Sequence, residues 1–227
     1  MVSAKSSPDS LIKSNLPMYL PAHFAQPDVA ERHRLMQEFP LASLVTNGPQ
    51  GLDANPLPFE FDAGVGPHGT LIAHVARANP LWKEIPNETE VLVIFRGGDT
   101  YISPNWYPSK HEDHRSVPTW NYRLVHVHGR IRIRDDEKFV RGVVARLTRT
   151  HEGRTPDNTP WKMGDSAPEY IDARLAEIVG IEVTVERMVG KWKMSQNRTE
   201  RDRNNVVQEL QKRGEHTISA AMAAVKN

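Results

Sequence analysis

The sequence of 227 residues contains no cysteine. Disulfides, thiolate catalysis and cysteine-ligated zinc or iron–sulfur clusters are therefore excluded, and any redox chemistry has to come from a bound cofactor. An excess of one charge is also missing, because 29 lysines and arginines meet 28 aspartates and glutamates. The formal net charge of +1 argues against a strongly basic coat that would hold nucleic acid by electrostatics alone.

Long hydrophobic runs are missing as well, and no apolar segment is long enough to cross a bilayer. Residues 1–15 are polar, contain Pro8 and lack the apolar centre of a signal peptide. We therefore expect a cytoplasmic protein without a membrane partner. The length predicts one large domain, or a core domain with an appendage. We expect a flexible tail over 1–15, a core domain over 16–190, and a C-terminal basic segment with helices packed on the core over 191–227.

Apolar and polar residues alternate through the middle of the chain, as they do in half-buried strands. The predicted strands are Leu41–Thr46, Leu52–Phe61, Thr70–Ala76, Val91–Phe95, Thr100–Ser103, Trp120–Arg134 and Ile181–Glu186. Helices are predicted at 28–39, 79–86, 135–150, 167–179, 199–213 and 218–225. Turns such as Gly97-Gly98, rather than crossover helices, join most strands. The predicted fold class is therefore mainly β, an antiparallel barrel with peripheral helices.

The turn after Thr70–Ala76 is the first candidate site. Arg77 stands just before a predicted helix, where free backbone N–H groups and a guanidinium favour an anion. Asn79 can cap that helix or donate to the same anion. The alternative is an ordinary strand-to-helix turn with an exposed arginine. Glycine-rich phosphate loops are absent from the sequence, so a nucleotide would have to bind at such a strand and short helix.

Aromatic residues form the second candidate site. The segments Tyr101–Tyr107 and Val117–Tyr122 bracket a long loop and interleave tryptophan and tyrosine with serine, asparagine and threonine. Flat apolar rings beside hydrogen-bonding groups suit a planar heteroaromatic ligand. Lys110 in the loop can approach an anionic ligand. The alternative is an aromatic cluster that closes one end of the barrel.

Two histidines share one face of the longest predicted strand. His126 and His128 have a spacing that metals can use, but their face continues into Arg130, Arg132 and Arg134. Because a cationic stripe repels a divalent ion, we expect no metal site here. The strand Ile181–Glu186 carries acids on its polar face, and these would complement the arginine stripe if the two strands paired.

The segment from Lys191 to Arg213 has seven basic and three acidic residues, so its local charge is +4. Alternating basic and aromatic residues at its start favour a nucleic-acid contact, and a basic lip on a ligand site or a solvated helix is the alternative. The helix that follows Gly214 has almost nothing to read a base edge. Motifs for a nucleophile with its base are also absent, so the sequence assigns no catalytic residue.

Five blocks of this sequence resemble, in order, the PaiB-like family of FMN-binding negative transcriptional regulators: Met18–Phe24, His74–Pro80, Tyr101–Tyr107, Val117–Tyr122 and Lys193–Arg198. The resemblance implies a split β-barrel of the flavin-reductase and pyridoxamine-phosphate-oxidase type. It also implies a homodimer with FMN at the subunit interface and a role as a transcriptional repressor that contacts DNA. An FMN-dependent oxidoreductase, or a haem-handling relative without a direct role at DNA, is the alternative.

The resemblance also implies which residues contact FMN. The phosphate would lie at Ala76, Arg77 and Asn79, and the aromatic segments would face the isoalloxazine ring. The complete set of expected cofactor-binding residues is His74, Ala76, Arg77, Asn79, Tyr101, Ser103, Trp106, Lys110, Trp120, Asn121 and Tyr122.

Overall fold

The computed structural model describes residues 18–156 and 159–225, so the predicted tail over 1–15 lies outside the described residues. The strands are β1 Ala25–Gln26, β2 Leu41–Gly48, β3 Gly51–Pro58, β4 Glu60–Asp62, β5 Thr70–Ala76, β6 Glu90–Ile102, β7 Thr119–Arg134 and β8 Ile178–Lys193. The helices are α1 Val29–Glu38, α2 Leu81–Glu84, α3 Lys110–Asp113, α4 Glu137–Glu152, α5 Pro168–Ala176, α6 Glu200–Lys212 and α7 His216–Ala223. Short 3₁₀ helices lie at Ala22–Phe24, Pro104–Trp106 and Met163–Asp165.

The strands form one antiparallel sheet in the order β3-β2-β6-β7-β8-β5-β4, with β1 added to β8. The sheet curls so that Asn79, in the turn after β5, donates from Nδ2 to Oδ1 of Asn55 on β3, at 2.7 Å. The predicted mainly β class with peripheral helices is therefore confirmed. The antiparallel arrangement follows from the short turns between strands, because strands joined by a short turn pair in opposite directions.

The alternation predicted for β7 is confirmed. Val125, Val127 and Ile131 are fully buried inside the barrel, and the histidines and arginines between them point outward. Three outward arginines are neutralised by acids, as the sequence predicted for a paired strand: Arg130–Glu186 at 2.9 Å, Arg134–Glu182 at 3.0 Å and Arg132–Glu88 at 3.1 Å. The arginine stripe is therefore not a free cationic surface.

The predicted turn at Gly97-Gly98 is wrong. β6 runs straight through it from Glu90 to Ile102, and its register with β7 shifts between Arg96 and Asp99. The two glycines form a bulge, where Gly98 has a φ of 88° that other residues rarely adopt. β8 is also longer than the predicted Ile181–Glu186, so position 190, where the core domain was expected to end, lies inside this strand.

Several helices pack against the barrel. α4 packs on β5 through Val143 and Leu147 against Ile72, and α6 and α7 add Leu210 and Met222 to the main core. Thr199 caps α6 as predicted, by accepting from the backbone N–H of Asp202. Within the described residues, no helix is long and apolar enough to cross a membrane.

One broad face of the sheet is partly exposed, and we call it the outer sheet face. Neighbouring residues in the strand register define it as two rows across β3, β2, β6, β7 and β8: Ala54, Val45, Leu92, His128 and Arg187; and Pro56, Ser43, Ile94, His126 and Val189. This face is exposed along β3 and partly exposed along β2 and β6. Val45, Leu92 and Ile94 point away from the core, because the residues between them are buried, whereas His128 and Val189 on the same face are largely covered.

Candidate functional site

The turn after β5 holds Arg77 in a network of protein acceptors. Its guanidinium binds the Asp135 carboxylate through two hydrogen bonds of 3.0 and 2.6 Å, and its Nε donates to the carbonyl of Ala176 at 2.7 Å. The hydrogen bonds with Asp135 raise the pKa of Arg77 and hold the pKa of Asp135 below its usual range. The arginine therefore ties β5 to the starts of α4 and β8.

The backbone donors of this turn are also engaged. The N–H of Arg77 donates to Glu177 O at 2.7 Å, and the N–H of Asn79 donates to Ala76 O at 2.8 Å. The side-chain oxygen of Asn79 accepts from the N–H of Leu81 at 2.9 Å. The N–H groups of Arg77, Asn79 and Leu81 therefore have protein acceptors, and the anion pocket at this turn stays a prediction. Asn79 keeps one amide hydrogen beyond its bond to Asn55.

Two further expected residues lie beside the turn. Ala76 is exposed at the end of β5, where it pairs with Ile178. His74 is partly buried, and its Nδ1 has no hydrogen-bond partner within the described part of the chain. Burial lowers the pKa of His74, so its imidazole is neutral near pH 7. A neutral histidine contributes no charge to an anion site.

Three of the predicted aromatic residues come together at the other end of β7. Tyr101 on β6 lies opposite Trp120 on β7, with ring centroids 6.0 Å apart and an interplanar angle of 75°. Tyr101 is 42% exposed and Trp120 is 54% exposed. Tyr122 follows Trp120 on the same side of β7, opposite Lys193 of β8. We call Tyr101, Trp120, Tyr122, Lys191 and Lys193 the cation–aromatic face.

The two lysines of this face have no counter-charge among the residues that the structure describes. Lys191 is only 8% exposed, and its ammonium donates to Tyr19 O at 2.9 Å between the rings of Tyr19 and Tyr122, whose centroids are 5.5 and 5.7 Å away. Lys193 donates to Thr119 Oγ1 and to the carbonyl of Trp120. Among the described residues, neither lysine forms an ion pair with a carboxylate.

Uncompensated charge at this position has a measurable consequence. Burial lowers the pKa of Lys193, and the neighbouring cations Lys191 and Arg198 lower it further. A bound anion would raise this pKa again, because its negative charge stabilises the ammonium form. The face therefore combines what a planar anionic ligand needs: exposed rings and unneutralised ammonium groups.

The other expected contact residues serve the local structure. Ser103 Oγ accepts from the N–H of Asn105, and Lys110 donates to Asn105 Oδ1 at 3.0 Å. Arg213 lies over the ring of Trp106, at 4.8 Å from the centroid. Asn121 is 1% exposed and faces the interior, where it donates to Ser195 Oγ at 3.0 Å. The structure places none of these four groups on the cation–aromatic face.

Sequence reasoning did not select Tyr19, Lys191 or Lys193 as cofactor contacts. The signal for the lysines was the alternation Lys-Trp-Lys, which has the period of a strand and places both ammonium groups on one side. Within the described residues, the remaining basic side chains of this segment are largely engaged. Arg201 pairs with Glu112, Lys212 pairs with Glu209, and Arg203 is buried. They do not form an open basic surface.

The two candidate regions lie at opposite borders of the outer sheet face. Asn79 is attached to β3 at one border, and Lys191 and Lys193 lie on β8 at the other. Ala76, just before that turn, pairs with Ile178 at the start of β8, whereas Lys191 and Lys193 lie at the far end of the same strand. One chain therefore does not bring the turn and the cation–aromatic face together across this surface.

Comparison with known proteins agrees with these features. The family model described as "Putative FMN-binding domain" matches residues 18–187. The protease synthase and sporulation protein PAI 2 of Bacillus subtilis is 31% identical over 194 residues, which cover 86% of this chain and 89% of that protein. The uncharacterized protein YKL070W of Saccharomyces cerevisiae is 33% identical over 162 residues, which cover 62% of this chain and 94% of that protein.

Solved structures of low sequence identity share the fold. The flavocytochrome Anf3 of Azotobacter vinelandii has a TM-score of 0.54 at 13% identity, over 79% of this chain and 74% of that chain. The FAD and haem binding protein of Mycobacterium smegmatis has a TM-score of 0.51 at 15% identity, over 74% of this chain and 73% of that chain. The predicted split β-barrel is confirmed.

The residues present fit the cofactor of this family. An unneutralised, buried ammonium at Lys191 beside exposed tyrosine and tryptophan rings provides what the anionic and aromatic parts of a flavin nucleotide require. The particular contact residues expected from the sequence stay a prediction. The chain belongs to the FMN-binding domain family, and FMN is its cofactor.

Proposed function

We propose that the protein is a homodimeric flavoprotein that acts as a negative regulator of transcription, with FMN bound between two subunits at the cation–aromatic face. The observation that carries the FMN position is the pair of lysines, Lys191 and Lys193, that have no carboxylate partner among the described residues and lie beside the exposed ring of Trp120. Because Lys191 is only 8% exposed, we assign this cluster to a ligand site rather than to a solvated surface.

The outer sheet face supports the dimer. Its apolar side chains, including Val45, Leu92 and Ile94, stay partly exposed in the single chain. A two-fold dimer uses the same surface on both subunits, and with its axis parallel to the strands the β8 border of one copy meets the β3 border of the other. This arrangement brings Lys191 of one subunit towards Asn79 of the second, although one chain holds them apart.

Each half of such a site has a separate task. Lys191 and Lys193 attract the negative charge of the nucleotide, and Tyr101, Trp120 and Tyr122 cover the ring and exclude water from it. From the other subunit, the free amide hydrogen of Asn79 is available to the phosphate. When bound, FMN supplies hydride and electron transfer, which this cysteine-free chain has no other evident group to perform.

The regulatory part of the proposal is supported by the relative that is named as a sporulation protein. A helix that reads base edges is not evident among the described residues, because α7 turns Ile218 and Met222 into the core. We therefore propose that repression follows from FMN-dependent contacts of the dimer. A gel-shift titration at physiological salt tests direct DNA recognition, since binding that does not depend on sequence would reject it.

A second function, FMN-dependent oxidoreductase, is favoured by one observation. Trp120 is 54% exposed, so the cation–aromatic face remains open to a second planar molecule such as a nicotinamide donor. Anaerobic mixing of the FMN-loaded protein with NADH or NADPH tests it. Bleaching of the flavin absorption band within seconds supports a reductase, and an unchanged band after minutes rejects these two donors.

The FMN site itself is tested by fluorescence titration of the wild type, Lys193→Met and Lys212→Met. Lys212 is the control, because its ammonium pairs with Glu209 on an exposed part of α6. We expect weaker FMN binding for Lys193→Met and wild-type binding for Lys212→Met. Equal affinities in all three proteins would reject the cation–aromatic face as the FMN site.

A further inference from the structure

An exposed tyrosine lies near the start of the described chain. Tyr19 is 83% exposed, although a tyrosine of this size usually buries much of its ring. It belongs to Met18–Phe24, one of the sequence blocks that led to the family. Phe24 at the end of this block is buried in the core, but the proposed function does not account for the exposed ring of Tyr19. We call Met18–Phe24 the strap.

The strap is held in place along β8. Its Tyr19 carbonyl accepts from the Lys191 ammonium at 2.9 Å, and its Pro21 carbonyl accepts from the N–H of Phe24 at 2.9 Å. The next residue, Ala25, pairs with Lys191 in the sheet. The exposure of the Tyr19 ring is therefore a property of an anchored segment, and the ring is presented to solvent at a defined place.

That place is the border of the cation–aromatic face. Lys191 lies between the rings of Tyr19 and Tyr122, and no acid neutralises it among the described residues. The ring of Tyr19 is largely exposed to solvent, and the Lys191 ammonium beside it has no counter-charge among the described residues. A planar anionic ligand would bury the ring and would supply the counter-charge to the ammonium.

We propose that Tyr19 is a positioning residue for FMN, whose ring packs against the isoalloxazine ring beside Lys191, so that the strap forms one wall of the site. This inference rests on the proposed function, because it needs FMN at the cation–aromatic face. It assigns a task to the strap that neither the family description nor the names of the relatives contain.

The test compares Tyr19→Ala and Tyr19→Phe with the wild type by flavin fluorescence. Both variants keep the backbone carbonyl that anchors Lys191, so the strap retains its fixed point. An aromatic ring stacked on a flavin quenches its emission. We expect quenched FMN in the wild type and Tyr19→Phe. We expect about tenfold weaker binding and brighter bound FMN in Tyr19→Ala.

Tyr170→Ala is the matched control, because Tyr170 is 57% exposed on α5 and belongs to neither region. It should bind and quench FMN as the wild type does. If wild-type protein and Tyr19→Ala bind FMN with the same affinity and emission, the inference is wrong while the proposed function stands. A weaker dimer with unchanged emission in Tyr19→Ala would also overturn it, since Tyr19 would then contact the second subunit. If the wild type itself does not bind FMN, both proposals fail.

Discussion

Lys191→Met separates the contribution of a side chain to stability from its contribution to cofactor binding. The lysine is 8% exposed, and its one hydrogen bond reaches the carbonyl of Tyr19. Methionine keeps an unbranched stem of similar length, so the packing between Tyr19 and Tyr122 is largely preserved. What the substitution removes is a desolvated charge without a carboxylate partner.

Two terms of opposite sign determine the stability of the FMN-free variant. Loss of a hydrogen bond from a charged donor costs about 1.5–3 kcal/mol, but water can replace the donor at the exposed Tyr19. Removal of a poorly solvated, unpaired charge returns a similar amount. We therefore expect an unfolding free energy within about 1 kcal/mol of the wild type. Urea unfolding of the FMN-free proteins measures it.

The affinity of Lys191→Met for FMN should be lower than that of the wild type. The variant loses a charge-assisted interaction of about 1.5–3 kcal/mol with the nucleotide, which corresponds to roughly 10- to 150-fold weaker binding. Fluorescence titration at low and physiological salt gives the affinities, and the difference between the two proteins should shrink as salt rises. A dissociation constant within twofold of the wild type would refute the assignment of Lys191 to the FMN site.

Three further outcomes are expected. Asp135→Asn removes the carboxylate that binds the Arg77 guanidinium. If the FMN phosphate contacts that guanidinium, the dissociation constant for FMN should fall severalfold in a titration. An unchanged dissociation constant would place the phosphate elsewhere. Ile94→Asp puts a charge on the outer sheet face and should give monomers in light scattering, whereas intact dimers would reject this interface. Burial lowers the pKa values of His126 and His128, so the unfolded chain protonates first and stability should fall as the pH drops through about 6.5. Urea unfolding of the His126→Gln, His128→Gln double variant should show a smaller loss, and an equal loss would contradict this cause.

The sequence predicted the strands well where one face is buried and the other is not. β7 was predicted to within one residue, because its valines and isoleucines alternate with histidines and arginines. The prediction of a turn at Gly97 and Gly98 was wrong, because a pair of glycines is equally compatible with a turn and with a bulge. Only the continuous partner strand decides between the two, and that pairing joins residues far apart in the chain.

The candidate site was predictable only in part, because its charges are balanced by distant residues. No residue near Arg77 in the sequence predicts its ion pair with Asp135, because Asp135 is 58 positions away in the chain. Strand alternation would have separated Asn121 from Tyr122, since adjacent strand residues point to opposite faces, and the structure buries Asn121 accordingly. Lys191 stands out only once its burial beside the rings of Tyr19 and Tyr122 is known.

Subunit mixing tests the central claim that FMN binds between two copies of the chain. Lys191→Met damages the β8 half of the site. Asn79→Asp damages the turn half by placing a carboxylate at the phosphate, although it keeps the oxygen that caps α2. Each homodimer then has two defective sites. A purified heterodimer of the two variants has one site with both halves intact if the site spans the subunits.

The measurement is therefore an FMN titration of that heterodimer, with both variant homodimers as references. The account predicts one FMN per heterodimer bound with wild-type affinity, while both homodimers bind weakly. A heterodimer that binds no better than the homodimers would contradict a site shared between subunits and would place the whole site within one chain.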